Sequence, residues 1–366
     1  MEKIYSAAKS FVYEVFLRIS LVLTIWGVHL SAQAVTFDVD GIRYEILSKT
    51  EKTVEVAIIP KSIAYPSYSL YSGNYTIPET VEFKDITYHV VGIGTHAFSE
   101  CYNLGNIALP RTLQYIGFGA FSRSNISSLV IPEGVDSIGS AAFYGCNYLE
   151  KIVLPKSITK LGENIFYDCT KLQSLKILSD KLTYIPNDFC LKCQGLTDIL
   201  IPTSIQTIGE SAFRETKSLN SLVIPQNVKS IGNFCFYSSG LASIEMYDNV
   251  VSIGNKAFRE CDKLQYVKLS SNIEELENEM FRECSMLETV ILPEKITTIP
   301  EYCFFGCSSL KNISIPASVI ALEKFAFAHC VSLEYIKESA ILSPIYRESY
   351  RFRRCTSASW QTPISR

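Results

Sequence analysis

Phenylalanine returns every 22–24 residues along most of this 366-residue chain, and its neighbours return with it. Taking that residue as an origin, the slots are Phe98, Phe121, Phe143, Phe166, Cys190, Phe213, Phe236, Phe258, Phe281, Phe304 and Phe327. In the fifth unit Cys190 holds the slot rather than Phe189, because Ile185 and Cys193 keep their places only in that register. One unit runs Phe143, Cys146, Leu149, Ile152, Leu154, Pro155, Ile158, Leu161-Gly162; another runs Phe304, Cys307, Leu310, Ile313, Ile315, Pro316, Val319, Leu322. A chain written this way folds as coils that bury their apolar edges only by stacking on each other.

The stretch Leu149 to Leu154 is an L-x-x-L-x-L core, the sequence signature of leucine-rich repeats. Its period-two alternation predicts a short strand, and the following Pro, lacking an N–H, ends the ladder. The Gly of the Ile-Gly pair is expected to supply a positive φ at a corner. The expected architecture is a repeat solenoid of about eleven coils over residues 90–337, mainly β, with irregular or short helical convex segments. The units at Phe121 and Phe236 are a residue short and lack the Cys. They predict a local change of curvature without a break in the stack.

The phrase Ala257-Phe258-x-x-Cys261-x-x-Leu264-x-x-Val267-x-Leu269 resembles the consensus of the BspA-like leucine-rich repeat proteins with a 23-residue unit. The resemblance spans residues ~90–337. It implies a secreted or surface protein of a host-associated bacterium or protist, in a family some of whose members act in adhesion. It carries no shared catalytic motif, so no functional residue transfers.

The composition is that of a folded protein, with 47% hydrophobic residues and a net charge of −3, too little positive charge for nucleic acid. Residues 1–34 read as a secretory signal peptide: Arg18, an apolar run from Ile19 to Leu30, then Ser31-Ala32-Gln33-Ala34 as an A-x-A cleavage pattern. The run is short for a membrane span, so no stable span is expected after cleavage. Residues 35–89 read as a β-rich N-terminal cap. One hairpin is expected around Asp40-Gly41, a second around Lys84-Asp85, and a Tyr/Ser/Pro-rich loop from Tyr65 to Gly73. Residues 338–366 form an irregular tail whose arginines include Arg347, Arg351, Arg353 and Arg354. It reads as disordered, with contact to anionic surface polymers as the alternative.

Eight of the twelve cysteines occupy the slot three after the origin, and Cys190, Cys235 and Cys303 replace Phe or Ala. Cysteines that interchange with Ala and Phe are expected to be buried, reduced and acting as small hydrophobes. The histidines recur at no ligand spacing, so neither a metal nor a cofactor is expected. Nucleophile-elbow, zincin and phosphate-loop motifs are absent, which places the chain outside the enzymes those motifs mark. Glu274, Glu275, Glu277 and Glu279 cluster on what reads as a solvated edge. The sequons at Asn74, Asn125 and Asn312 are short matches of the kind chance supplies.

The remaining surface is the row of outward strand residues, the concave face of such a stack. One column runs Ala108, Val130, Val153, Lys176, Leu200, Val223, Glu245, Lys268, Ile291, Ser314, Lys337; the column two residues earlier includes Tyr266 and Tyr335. β-branched residues there also serve strand propensity. Tyr266, Lys268, Tyr335, Lys337, Ile291 and Leu200 are the candidate contact residues, Tyr being favoured at binding hot spots. The expected function is a secreted or cell-surface module for protein recognition, adhesion first, with glycan binding or nutrient capture at the cell envelope as the alternative.

Overall fold

A computed structural model describes residues 34–62 and 65–337. The proposed signal peptide, apart from Ala34, and the basic tail lie outside the described residues. Coils are numbered 1 to 11 from the origins above. Each has a turn carrying the origin; most also have a long strand at the L-x-x-L-x-L core, absent in coils 2 and 6, and a two-residue strand at the Ile-Gly position, absent in coil 8. The convex segments are irregular turns; the described residues contain no helix.

The turns are held by a ladder of their own. The N–H of each origin donates to the carbonyl preceding the next origin, from Phe98 to Ala120 (2.7 Å) through Phe304 to Ala326 (2.8 Å). The residues two before and two after each origin add parallel bonds, as from His96 to Phe118 (2.9 Å) and Glu100 to Ser122 (2.7 Å). In every coil those two flanking residues have φ between +53° and +77°. Most are not glycine, although an L-residue loses about 1–2 kcal/mol there. The bonds to the next coil over-determine the conformation and offset that cost. Asp188 (φ 53°) and Lys192 (φ 63°) flank Cys190, which fixes it as the fifth origin.

The Ile-Gly glycines do something other than expected. Gly94, Gly117, Gly139, Gly162, Gly209, Gly232 and Gly254 are not in the left-handed region. A Cβ on Gly139 would lie 2.6 Å from Phe118 N and 2.7 Å from Gly117 C, both backbone atoms of the coil below. Glycine is required there for close approach. It also lends its N–H, as from Gly139 to Ile116 O (2.7 Å) and Gly209 to Ile185 O (2.9 Å).

Both strand rows are interrupted, at different levels. The short-strand row stops between Lys160–Leu161 and Tyr184–Ile185, and again around coil 8. The glycine is replaced in coils 4, 8, 9 and 10 by Pro186, Glu277, Pro300 and Glu323, and Thr298–Ile299 still pairs with Ala321–Leu322. The long-strand row is unpaired before coil 2, on both sides of coil 6, and between Thr289–Ile291 and Asn312–Ser314. Two of those gaps precede the short coils 2 and 7. Wherever one row lapses, the other row and the turn ladder continue.

The core is one contiguous column. Phe98, Phe121, Phe143 and Phe166 stack with interplanar angles of 8°, 2° and 10°. Phe189 meets Phe166 edge-on at 77°, because it stands in the Ala slot. Stacking resumes from Phe213 to Phe327. It passes through the two short coils without a break.

At the N-terminal end, Thr36–Val39 and Ile42–Ser48 are joined by Asp40 (φ 48°) and Gly41 (φ 75°), and Thr80–Phe83 pairs antiparallel with Ile86–Ile93. Both expected hairpins are present. Thr53–Val56 then runs parallel to Ile86–Ile93, which continues into the short-strand row. The expected loop from Tyr65 to Gly73 is instead largely extended. Tyr65–Ser69 pairs with Pro60–Ser62, and Gly73–Thr76 pairs parallel with Leu104–Ala108 as the long strand of a coil preceding coil 1. The Pro and Ser content hid a strand paired with its immediate neighbour, Tyr65–Ser69, and a second, Gly73–Thr76, whose partner is distant in sequence.

Candidate functional site

The long-strand face places the candidate residues by register. Ser243, Tyr266 and Thr289 align across three strands, and Glu245, Lys268 and Ile291 align beside them. Tyr266, Lys268 and Ile291 thus form one group on adjacent coils. Tyr266 is half-buried, and Lys268 and Ile291 are exposed. Leu200 pairs with Lys176 three coils below Tyr266 and is 49% exposed. Tyr335 and Lys337 lie on a strand paired with Asn312–Ser314, and their side chains lie outside the described ones.

The most exposed apolar side chains on this face were in the outward column but not among the candidates. Val130 is 82% and Val223 77% exposed. Both sit in coils whose long strand is not formed. With Val153, Leu200 and Ile291 they form a broken aliphatic row in a field of Ser, Thr, Lys and Asn. The signal available in sequence was the aliphatic residue itself, which strand propensity explains equally well.

The turn face carries charge and aromatic groups that are already engaged. Arg214 lies over Phe234 and Tyr237, and Arg282 over Tyr302 and Phe305, the nearest at 4.6 Å and 5.0 Å. Tyr144 and Tyr167 stack at 4.9 Å, with Arg123 and Lys192 over them. The acidic cluster separates. Glu279 turns to this face and binds Arg259 (2.7 Å), Arg282 (3.0 Å) and Lys256 (3.3 Å). Burial opposes its charge, yet the three cations hold the Glu279 carboxyl below its usual range. Glu274 faces Lys295 at 3.9 Å instead.

The cysteine slot proves to be a donor slot. The Cys146, Cys169, Cys193, Cys261, Cys284, Cys307 and Cys330 thiols each donate to the carbonyl of the preceding coil's Phe, at 2.9–3.2 Å. The coils without Cys place Ser124, Thr216 and Ser239 there, all fully buried. Their hydroxyls bond differently, Thr216 to Phe213 O of its own coil (2.7 Å) and Ser124 and Ser239 to the Cys146 and Cys261 thiols of the next coil (3.7 Å and 3.4 Å), so these buried cysteines fill core slots and also hydrogen-bond. Burial raises the Cys146 and Cys169 thiols well above their ordinary range, and the eleven described cysteines form no disulfide. Among the described residues, no group of three His, Cys, Asp or Glu is placed to hold a metal, and no helix is long and apolar enough to cross a membrane.

The BspA type leucine rich repeat region matches this chain over residues 73–189, 119–241, 183–304 and 229–359, in six copies. The chain belongs to that family. A leucine-rich repeat protein from Bacteroides ovatus is 29% identical, with a TM-score of 0.63 over 82% of this chain and 88% of its own. A leucine rich cell surface protein from Faecalibacterium prausnitzii is 24% identical, with a TM-score of 0.54 over 84% of this chain and 89% of its own. The pneumococcal vaccine antigen PcpA is 17% identical, with a TM-score of 0.54 over 83% and 81%. The last two share the fold. None of the curated proteins matches the chain. Leucine-rich repeat proteins are generally binding modules, and the family match indicates no catalytic family.

Proposed function

We propose that this chain is an extracellular recognition module whose long-strand face binds a protein partner, in the manner of an adhesin. The observation that carries the reading is the aliphatic row Val130, Val153, Leu200, Val223 and Ile291, held exposed on a rigid repeated scaffold. Exposed apolar groups rimmed by polar ones mark protein contact surfaces. Tyr266 and Lys268 flank the upper end of that row and act as its aromatic and charged anchors; Tyr335 and Lys337 extend it by register. The leader read at residues 1–34 and the surface location of a similar protein support export. The division into leader, β-rich cap, stack and tail belongs to the same proposal.

The test is a binding screen of the chain, without residues 1–34, against host matrix proteins and microbial surface proteins. The variants Val223→Asp and Tyr266→Ala should keep the wild-type melting profile, since exposed positions change stability by less than ~0.5 kcal/mol. Together they should weaken a captured partner by about tenfold or more. Unchanged binding by the double variant would move the site off this face.

A further inference from the structure

Two carboxyl groups and a phenol stand in one row where the N-terminal strands meet coil 1. Glu45 lies directly opposite Glu55 in the antiparallel pair of Ile42–Ser48 with Thr53–Val56. Tyr44, Val54 and Val56 turn into the core, so both glutamates share the other face. Glu55 aligns with Gly92, and Gly92 aligns with Tyr115 on the short strand of coil 1. We propose that Glu45, Glu55 and Tyr115 form a proton-operated latch, which holds the N-terminal strands on the stack more tightly in mild acid than at neutral pH. The latch is independent of the protein-binding reading.

The fold makes room for this row. Tyr115 reaches across Ile86–Ile93, and its hydroxyl donates to Glu55 Oε2. The strand it crosses puts no side chain in the way. A Cβ on Gly92 would lie 2.2 Å from Tyr115 Cζ, and one on Gly94 would lie 2.5 Å from Glu55 Oε1. Two glycines thus form the floor on which ring and carboxyl meet. The bond joins residues 60 apart in sequence, one on an N-terminal strand and one on coil 1.

The charged neighbours are engaged elsewhere or stand apart. Arg43, two residues before Glu45 on the same face, gives its guanidinium to Asp38 at 2.9 Å and 3.2 Å. Lys49, Glu51 and Lys52 lie on the exposed turn between the two strands. Ile86–Ile93 brings His89, which faces Thr53 rather than Glu55. Beyond Tyr115 the next coil brings only Ser137 in register. Like charges directly opposite each other weaken a strand pair. Burial pushes the Glu55 carboxyl above its ordinary range; the Tyr115 hydroxyl opposes that shift and the Glu45 charge adds to it. Burial, then the facing Glu55 carboxyl, raises the Tyr115 phenol, so it stays a donor. A proton on Glu55 removes the repulsion and offers Glu45 a hydrogen to accept. Because the folded pKa lies above the ordinary 4.5, this stabilisation is full below 4.5 and is lost as pH rises through the folded pKa.

The experiment is amide hydrogen exchange on the full chain, followed from neutral pH down to 4.5 and corrected for intrinsic exchange. Ser174–Ile177 and Asp198–Leu200, away from the latch, are the internal reference. Protection of Ile42–Ser48 and Thr53–Val56 should rise about threefold or more on acidification, the scale of one opposed pair. Glu45→Gln and Glu55→Gln should each remove most of that rise and leave protection at neutral pH above wild type. Tyr115→Phe should widen the rise, because the hydroxyl favours the ionised carboxyl most; a merely structural hydroxyl would lower protection equally at both ends. His89→Asn should leave the rise in place. Carboxyl-carbon NMR of the unaltered chain should give Glu55 a titration midpoint above 4.5. A midpoint at or below that value, a rise that is absent or reversed, or one kept in full by Glu55→Gln or abolished by His89→Asn, would each overturn the proposal.

Discussion

The Tyr184 hydroxyl donates to the Leu161 carbonyl at 2.8 Å, in the place where a glycine N–H serves other coils. Pro186 has no N–H to give, and the ring reaches back to replace it. The Tyr184→Phe variant should therefore lose about 1–2 kcal/mol, the cost of stranding a partly buried carbonyl. A double-mutant cycle with Pro186→Gly checks this: with the N–H restored, removing the hydroxyl should cost less.

Glycines should sort by the reason for their presence. Gly139→Ala drives a Cβ into the backbone of the coil below and should cost about 2–3 kcal/mol or more. Gly41→Ala, at φ 75° with open space around it, should cost only about 1–2 kcal/mol of conformational strain. Urea denaturation of the two variants gives the order; the reverse order would refute the close-approach account.

Cys169 donates its thiol to the Phe143 carbonyl at 3.0 Å. Because Ser and Thr fill the same slot elsewhere, Cys169→Ser should cost about 1 kcal/mol less than Cys169→Ala. Thiol-labelling of the native protein should be slow at this slot, since burial keeps the thiolate scarce.

Glu279 couples the stack to acid. Its folded pKa is depressed below the ordinary 4.5. Its contribution is therefore present above that value and is lost as pH falls through the folded pKa. The melting temperature of Glu279→Gln should lie below wild type at pH 7, and the gap should shrink as pH falls below 4.5 and through the folded pKa.

The register was legible because eleven repetitions of Phe, Leu and Ile repeat one geometric demand. Even Cys190 could be placed, since its neighbours kept their spacing. The glycine role was misread: a close backbone approach and a positive φ select the same residue, and only coordinates separate them. The left-handed residues flanking each origin were invisible, because Asn164, Glu215 and Phe234 have no common chemistry; hydrogen bonds to the next coil impose the conformation. Gly73–Thr76 was missed because its pairing is to distant residues, and Tyr65–Ser69 because Pro and Ser read as loop. The long-strand face was legible, and the register sets Tyr266, Lys268 and Ile291 side by side on it. The gap in the short-strand row at Tyr184 was not, since the N–H that Pro186 lacks matters only when coils stack.

The staggered lapses of the two strand rows bear on how this molecule would carry mechanical force. A protein tethered at a surface and gripped by a partner is pulled, and a fibre tears where a flaw crosses its whole width. Here a flaw in one row meets continuous bonding in the other and in the turns, so a tear must change faces to advance.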